Sequence, residues 1–356
     1  SVRTGDRNLC SNRVMRLVKA AGITAVAAAL GIVSERFLIA SPPYRGPVSD
    51  HFDGRKFHNV DPVWHGGGSF LKWQLTKEPG PWPEWIDDPP GPPPERRVDG
   101  GRVRITWVNH ATMLVQMDGL NILTDPIWSE RCSPFSFVGP KRHRGPGLRF
   151  EDLPPIDAVL VSHNHYDHLD LPTLRRLRGS RIVTPIGNAA LMAREGVPDA
   201  IDLDWWQQTA LSDRVTVTVV PGQHFCARAI SDQNRTLWGG FVISGPSGHV
   251  YFAGDTGRGK HFAEIGARFQ PIRAALLPIG AYQPRWFMRP VHISPAEAVD
   301  AHQALGARTS IAMHFATFHL GDDGYDAPAQ DLRAAVASKG NPDFRIVEHG
   351  VGVDVP

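Results

Sequence analysis

The chain has 356 residues, enough for one large domain or two ordinary ones, and its 42% hydrophobic and 21% charged residues are the balance of a folded globular protein. That balance excludes a disordered chain, a collagen and a polytopic membrane protein. Thirty-eight Lys and Arg against 36 Asp and Glu leave a formal charge of only +2, which argues against a nucleic-acid partner recruited by bulk charge.

Taken in chain order, the first feature is a basic flank (Arg3, Arg7, Arg13, Arg16, Lys19) followed by an apolar stretch from Ala20 to Val33. A spanning helix needs about 20 apolar residues and a signal-peptide core roughly 7–15, so the stretch fits export or anchoring better than a full span. Leu38-Ile39-Ala40 makes a poor cleavage site, and an N-terminal helix packed on the domain is the alternative reading. Residues 1–40 therefore form one segment. Residues 41–100 form a second, an irregular arm rich in Gly, Pro and Trp. Its prolines remove backbone donors and fix φ, which disfavours helix and central strand, while Trp64, Trp73, Trp82 and Trp85 argue for packing on a surface. A flexible tether is the other reading of its Pro-rich end.

The third segment, residues 101–356, has a different texture. Val103, Ile105 and Trp107 alternate with polar residues, as do Met113, Val115 and Met117, and Asp118-Gly119 predicts a hairpin turn into a strand from Leu120 to Leu123. Further strands are predicted at Ile156–Val161, Val215–Val220, Val250–Ala253, Ala274–Ile279 and Ser310–Met313. Helices are expected after Asp170, with Pro172 beside the start, and at Ser294-Pro295-Ala296-Glu297, a capping box with proline at its first turn. Strands interleaved with helices and hairpins indicate a mixed α/β fold.

Four of these strands each run into residues of metal-ligand type. Ile156–Val161 leads into His163-x-His165-x-Asp167-His168, Val219-Val220 into His224, the strand at Tyr251 into Asp255, and Ile311–Met313 into His314. Three cysteines (Cys10, Cys132, Cys226) are too scattered for a thiolate site, so imidazole and carboxylate must hold any metal. Zinc accepts both at about 2.0–2.2 Å. Four such ligands within six residues can serve one centre only if two ions share it.

These residues closely resemble the metallo-β-lactamase superfamily and, within it, the N-acylphosphatidylethanolamine-hydrolysing phospholipase D group. The matching stretches include Trp107–Thr112, Leu123–Pro126, Val138–Arg142, Pro154–Asp170, Leu203–Trp206 and Gly280–Met288, within roughly residues 101–350. The resemblance implies an αββα sandwich carrying an irregular N-terminal arm. It also implies two Zn2+ ions, one on His163, His165 and His224, the other on Asp167, His168 and His314, with Asp255 bridging. Asp125 stands where the superfamily keeps a carboxylate that orients a ligand histidine; a turn-forming Asp before proline is the alternative. Imidazole with carboxylate also suits iron or manganese.

The implied activity is that of a zinc-dependent phosphodiesterase. A metal-bridging hydroxide attacks phosphorus in N-acylphosphatidylethanolamine or a related phospholipid, releasing phosphatidic acid and an N-acylethanolamine. A lactonase or soluble phosphate-ester hydrolase on the same metals is the alternative. Catalytic roles fall to Asp255, to Asp167 and to His292, which would orient the phosphate or protonate the leaving group. Tyr166, Arg228 and Trp286 are the candidate substrate contacts. Ala227 replaces a basic residue expected from the animal enzymes, which leaves head-group preference open. The expected partner is phospholipid at a membrane surface, in the bacterial cell envelope or peripheral on the membrane. No nucleic acid is expected, and a homodimer is carried over from the resemblance.

Overall fold

The computed structural model describes residues 40–61 and 69–356, so the apolar N-terminal stretch and Trp64 lie outside the described residues. Two mixed sheets pack face to face. The first runs, in spatial order, β14 (Gly352–Val355), β1 (Val103–Asn109), β2 (Thr112–Met117), β3 (Leu120–Thr124), β4 (Ala158–Leu160), β5 (Arg181–Pro185) and β6 (Ile201–Leu203). The second runs β13 (Phe344–Arg345), β12 (Thr309–Met313), β11 (Ile272–Pro278), β10 (Gly248–Phe252), β9 (Gly240–Gly245), β8 (Thr216–Val220) and β7 (Gln208–Ala210).

The period-two pattern of the sequence explains the layering. Val103, Ile105, Trp107, Met113, Val115 and Met117 point into the core between the sheets. Their neighbours Val108, Leu114, Leu123 and Val159 point the other way, beneath α2 (Leu171–Arg176) and α3 (Asn188–Arg194). Both faces are buried, so β4 reads as the apolar run Ala-Val-Leu, and it pairs in parallel with β5 through the crossover that carries α2. On the second sheet α4 (His261–Phe269), α6 (Pro295–Leu305) and α7 (Ala327–Ser338) supply the outer layer, with Phe262, Val299 and Leu332 in the core. The expected αββα sandwich is the observed fold. Asp118 and Gly119, at φ 50° and 78°, make the hairpin turn between β2 and β3.

The capping box forms as read: Ser294 Oγ accepts from Glu297 N at 3.3 Å, and Glu297 Oε2 accepts from Ser294 N at 2.9 Å. Asp170 occupies the N-cap of α2 without capping it. Its carboxylate instead accepts from Ser129 Oγ at 2.7 Å and Thr173 Oγ1 at 2.5 Å.

The arm lies on the domain. Phe52 and Phe57 are buried in the main core, and Trp73 stacks on Phe287 at 4.9 Å. Trp82 donates from Nε1 to Asp323 O at 2.9 Å, whereas Trp85 is exposed. At the Pro-rich end Gly91 N donates to Gly147 O at 2.7 Å, and a Cβ on Gly91 would fall 2.2 Å from Gly350 O, so only glycine fits. One short helix, α1 (Ser69–Leu75), interrupts the irregular chain, where Leu, Lys and Gln stand free of proline. The fifth helix in order, α5 (Arg285–Met288), leads directly towards the site.

Candidate metal centre

Strands of both sheets end at one rim. Asp125 follows β3, the His163–His168 run follows β4, His224 follows β8, Asp255 follows β10 and His314 follows β12. Their side chains converge. His163 Nε2 stands 2.9 Å from His165 Nδ1, which lies 3.3 Å from His224 Nε2. His168 Nε2 is 3.2 Å from Asp167 Oδ2, and His314 Nε2 is 3.5 Å from the same oxygen. Asp255 sits between the two groups, with Oδ2 at 3.2 Å from His168 Nε2 and 3.8 Å from His224 Nε2, and Oδ1 at 3.1 Å from His314 Nε2.

Outer hydrogen bonds set the tautomers. Ser162 Oγ donates to Asp125 Oδ2 at 2.6 Å and so accepts from His163 Nδ1 at 2.9 Å. Asp125 Oδ2 accepts from His168 Nδ1 at 2.6 Å, and Val291 O accepts from His224 Nδ1 at 3.0 Å. Each of these three imidazoles therefore turns the lone pair of its Nε2 inward, while His165 presents Nδ1. Asp125 is buried and oriented for the role the resemblance gives it.

A cation fits this donor set. His168 Nε2, His314 Nε2 and Asp255 Oδ1 are buried and carry no hydrogen bond, an arrangement that needs an explanation in a packed interior. Among the described residues, ligand atoms of His163, His165 and His224 lie within 4.8 Å of one another, as do those of His110, Asp167, His168 and His314. Burial opposes ionisation of Asp167 and Asp255, yet the facing His168 and further imidazoles hold both well below the usual carboxylate range. Burial first, and the crowd of neighbouring imidazoles second, hold His163 well below its ordinary value. Burial also works against charge on His168, but Asp255, Asp167 and Asp125 outweigh it. The buried Asp125 and Asp255 and the partly buried Asp167 thus draw positive charge into a cluster of nitrogen donors, which is what bound cations would supply.

His292 joins the centre. Its Nδ1 stands 3.9 Å from Asp255 Oδ2 with no hydrogen bond, and Arg285 Nη1 holds its carbonyl at 3.0 Å. Burial first, then His314, brings its pKa down to about 4 against the pull of Asp255. Tyr166, within the His163–His168 run, pairs with Arg228. The Arg228 guanidinium sits 3.8 Å over the Tyr166 ring, and its Nη1 donates to Asn164 O and Leu169 O, both at 3.0 Å. Both line a cavity of about 490 Å³ with Phe135 and Arg175. Trp286 is 48% exposed, and its ring meets Phe287 and the Lys72 ammonium.

Sequence reasoning passed over His110. It follows β1 at φ 42°, is 1% exposed, donates from Nε2 to Asp167 Oδ2 at 2.9 Å, and packs 4.0 Å from the His314 ring. The signal was the same strand-end rule that found the others. Ser162, which relays between His163 and Asp125, carries no such signal.

A family model described as the β-lactamase superfamily domain matches residues 120–315, the span that carries every candidate ligand read from the sequence. The chain belongs to the metallo-β-lactamase superfamily. Uncharacterized protein Rv0906 of Mycobacterium tuberculosis is 37% identical over 323 residues, covering 88% of this chain and 84% of that one. The N-acyl-phosphatidylethanolamine-hydrolyzing phospholipase D 1 of Caenorhabditis elegans is 38% identical over 239 residues, covering 64% of this chain and 67% of that protein. Among solved structures, the isothiocyanate hydrolase of Delia radicum gut bacteria aligns with a TM-score of 0.57 at 22% identity, over 70% of this chain and 98% of that one, a likeness of fold. The superfamily and the donor set together make this a metal-dependent hydrolase. Among the described residues no helix is long and apolar enough to cross a membrane.

Proposed function

We propose that the chain is a binuclear zinc phosphodiesterase of the phospholipase D type, cleaving N-acylphosphatidylethanolamine or a related phospholipid to phosphatidic acid and N-acylethanolamine. The observation that carries the reading is Asp255, whose two oxygens face the histidines of both groups. Its support from relatives is the named activity of the Caenorhabditis elegans protein.

Bound metals would be held by His163, His165 and His224 on one side and by Asp167, His168 and His314 on the other, and would supply Lewis acidity and an activated water at neutral pH. The chain's own residues do the rest. Asp125, Ser162 and Val291 O keep the imidazoles in the ligating tautomer, and His110 steadies Asp167. His292 presents an unpaired Nδ1 beside Asp255, placed to hydrogen-bond a phosphoryl oxygen and orient the diester.

An amphiphilic substrate suits the surroundings. Phe70, Leu71 and Leu75 of α1 are exposed, as is Trp286 of α5, the helix that leads to His292. Phe135, Phe137 and Val138 are exposed beside the cavity that Tyr166 and Arg228 line. On this reading the enzyme works at a phospholipid surface, where such side chains gain by burial. The test is a substrate panel for the zinc-loaded protein: N-acylphosphatidylethanolamine in mixed micelles against soluble lactones and phosphate esters. Release of N-acylethanolamine is the expected result. Turnover of soluble lactones or esters alone would move the assignment to a lactonase or soluble esterase.

A further inference from the structure

The loop that carries His224 leaves β8 at Val220, and residues 221–229 belong to no helix or strand. Main-chain donors and acceptors buried in such a loop need partners from elsewhere. At His224 both come from one side chain in the N-terminal arm. Asn59 Oδ1 accepts from His224 N at 3.0 Å, and Asn59 Nδ2 donates to His224 O at 2.8 Å. The same Oδ1 accepts from Trp238 Nε1 at 3.1 Å, and Trp238 is 1% exposed, so the amide is referenced to the core. A carboxamide puts one acceptor and paired donors on a single plane, which lets it pair with a peptide group as a strand would.

We propose that Asn59 is a positioning residue of the metal centre: it fixes the main chain of His224 so that the imidazole enters the His163–His165–His224 group. The arm is then a working part of the site. The inference rests on the metal-centre reading above. His224 is held at its main chain by Asn59 and at Nδ1 by Val291 O, which leaves only Nε2 facing the other ligands. The preceding residue is tied in the same way, since Gln223 Nε2 donates to Asp61 O at 2.7 Å and Gln223 N to Thr256 Oγ1 at 2.8 Å. The arm itself is anchored, because Phe57 is 1% exposed and its N–H donates to Asn234 O at 2.8 Å. Residue 59 lies upstream of the span 120–315 that the superfamily model matches, so this clamp is outside the matched domain.

The experiment is a stepwise zinc titration of the metal-free chain against a chromophoric chelator, for wild type, Asn59→Leu and Asn59→Asp, with melting of each metal-free protein alongside. Leucine removes both hydrogen bonds. Aspartate keeps the acceptor for His224 N and Trp238 but sets a carboxylate oxygen against the His224 carbonyl. One binding step should weaken about 10–100-fold in both variants, the range seen for groups that orient ligands. The other step should move by less than about twofold, and the metal-free melting temperature should change little. Equal weakening of both steps together with a lowered melting temperature would mean a merely structural role and overturn the proposal, as would two unchanged steps. If Asn59→Leu does not fold, Asn59→Asp decides by the same outcomes. A wild type that takes up no zinc would remove the metal reading itself, and the proposal with it, a result distinct from normal titration of all three proteins.

Discussion

Asp125→Asn isolates the outer shell of the centre with almost no change in shape. Asp125 accepts three hydrogen bonds: Ser162 N at 2.7 Å, Ser162 Oγ at 2.6 Å and His168 Nδ1 at 2.6 Å. Asparagine keeps the first through its amide oxygen, and the hydroxyl of Ser162 can turn to accept the second. The third fails, because an amide N–H would face the N–H of His168. That imidazole must then shift its proton to Nε2, the atom that points at Asp167 and Asp255. Ser162, once it no longer donates to residue 125, also stops fixing the tautomer of His163. One ligand on each side of the centre is therefore compromised. Loss of such an orienting group costs about 10–100-fold in metal affinity, or about 1.4–2.7 kcal/mol. The backbone is indifferent, since Asp125 sits at φ 35° and Asn tolerates that region as well as Asp does. Chelator competition measures the affinity, and melting of the metal-free protein controls for folding. Unchanged affinity and turnover in a folded Asp125→Asn protein would refute the argument that this carboxylate sets the tautomers.

Two predictions concern the arm. Phe57→Ala removes a ring that is 1% exposed and packs on Phe52 at 4.5 Å, and it should cost about 3–5 kcal/mol in chemical denaturation. A loss below about 1 kcal/mol would mean that the arm is not part of the cooperative unit. His51 ties the arm to Asp204 at 2.7 Å and stacks on Trp205 at 4.5 Å. Burial pulls its pKa down, but hydrogen bonds to Asp204 and Asp50 outweigh that and raise it above the ordinary 6.5. A raised folded value means stability that is fully present below 6.5 and is lost as pH rises through the folded pKa. The melting-temperature gap between wild type and His51→Phe, which keeps the stack, should therefore shrink from about pH 6 to about pH 9. A gap that does not change with pH would contradict the assigned pairing.

The side chains that converge at the rim were legible because they are local: His163, His165, Asp167 and His168 fall within six residues, and His224, Asp255 and His314 each follow an apolar strand. The first strands were legible from the alternation of Val103, Ile105 and Trp107 and of Met113, Val115 and Met117, and β4 from its unbroken apolar run, the mark of a strand buried on both faces. What holds the ligands was not. Asn59 meets His224 across 165 residues, and Val291 contributes only a carbonyl, which leaves no mark on residue type. Asp125 was half-legible, because an Asp before proline at a turn and an Asp beneath a ligand histidine look alike until His168 Nδ1 is seen against it. The short edge strand β14 pairs with β1 through only four residues, too few to set a period. Phe52 and Phe57 stand among Asp, Gly, Arg and Lys with no repeat, so only tertiary contact reveals them as core.

The most direct test of the central claim is zinc content per chain and N-acylphosphatidylethanolamine hydrolysis in mixed micelles, measured together for wild type and Asp255→Asn. Because Asp255 faces both histidine groups, the wild type should hold about two zinc ions and release N-acylethanolamine, and the variant should lose turnover with its metal pair. Undiminished hydrolysis by Asp255→Asn, or a wild type that binds no zinc, would contradict it.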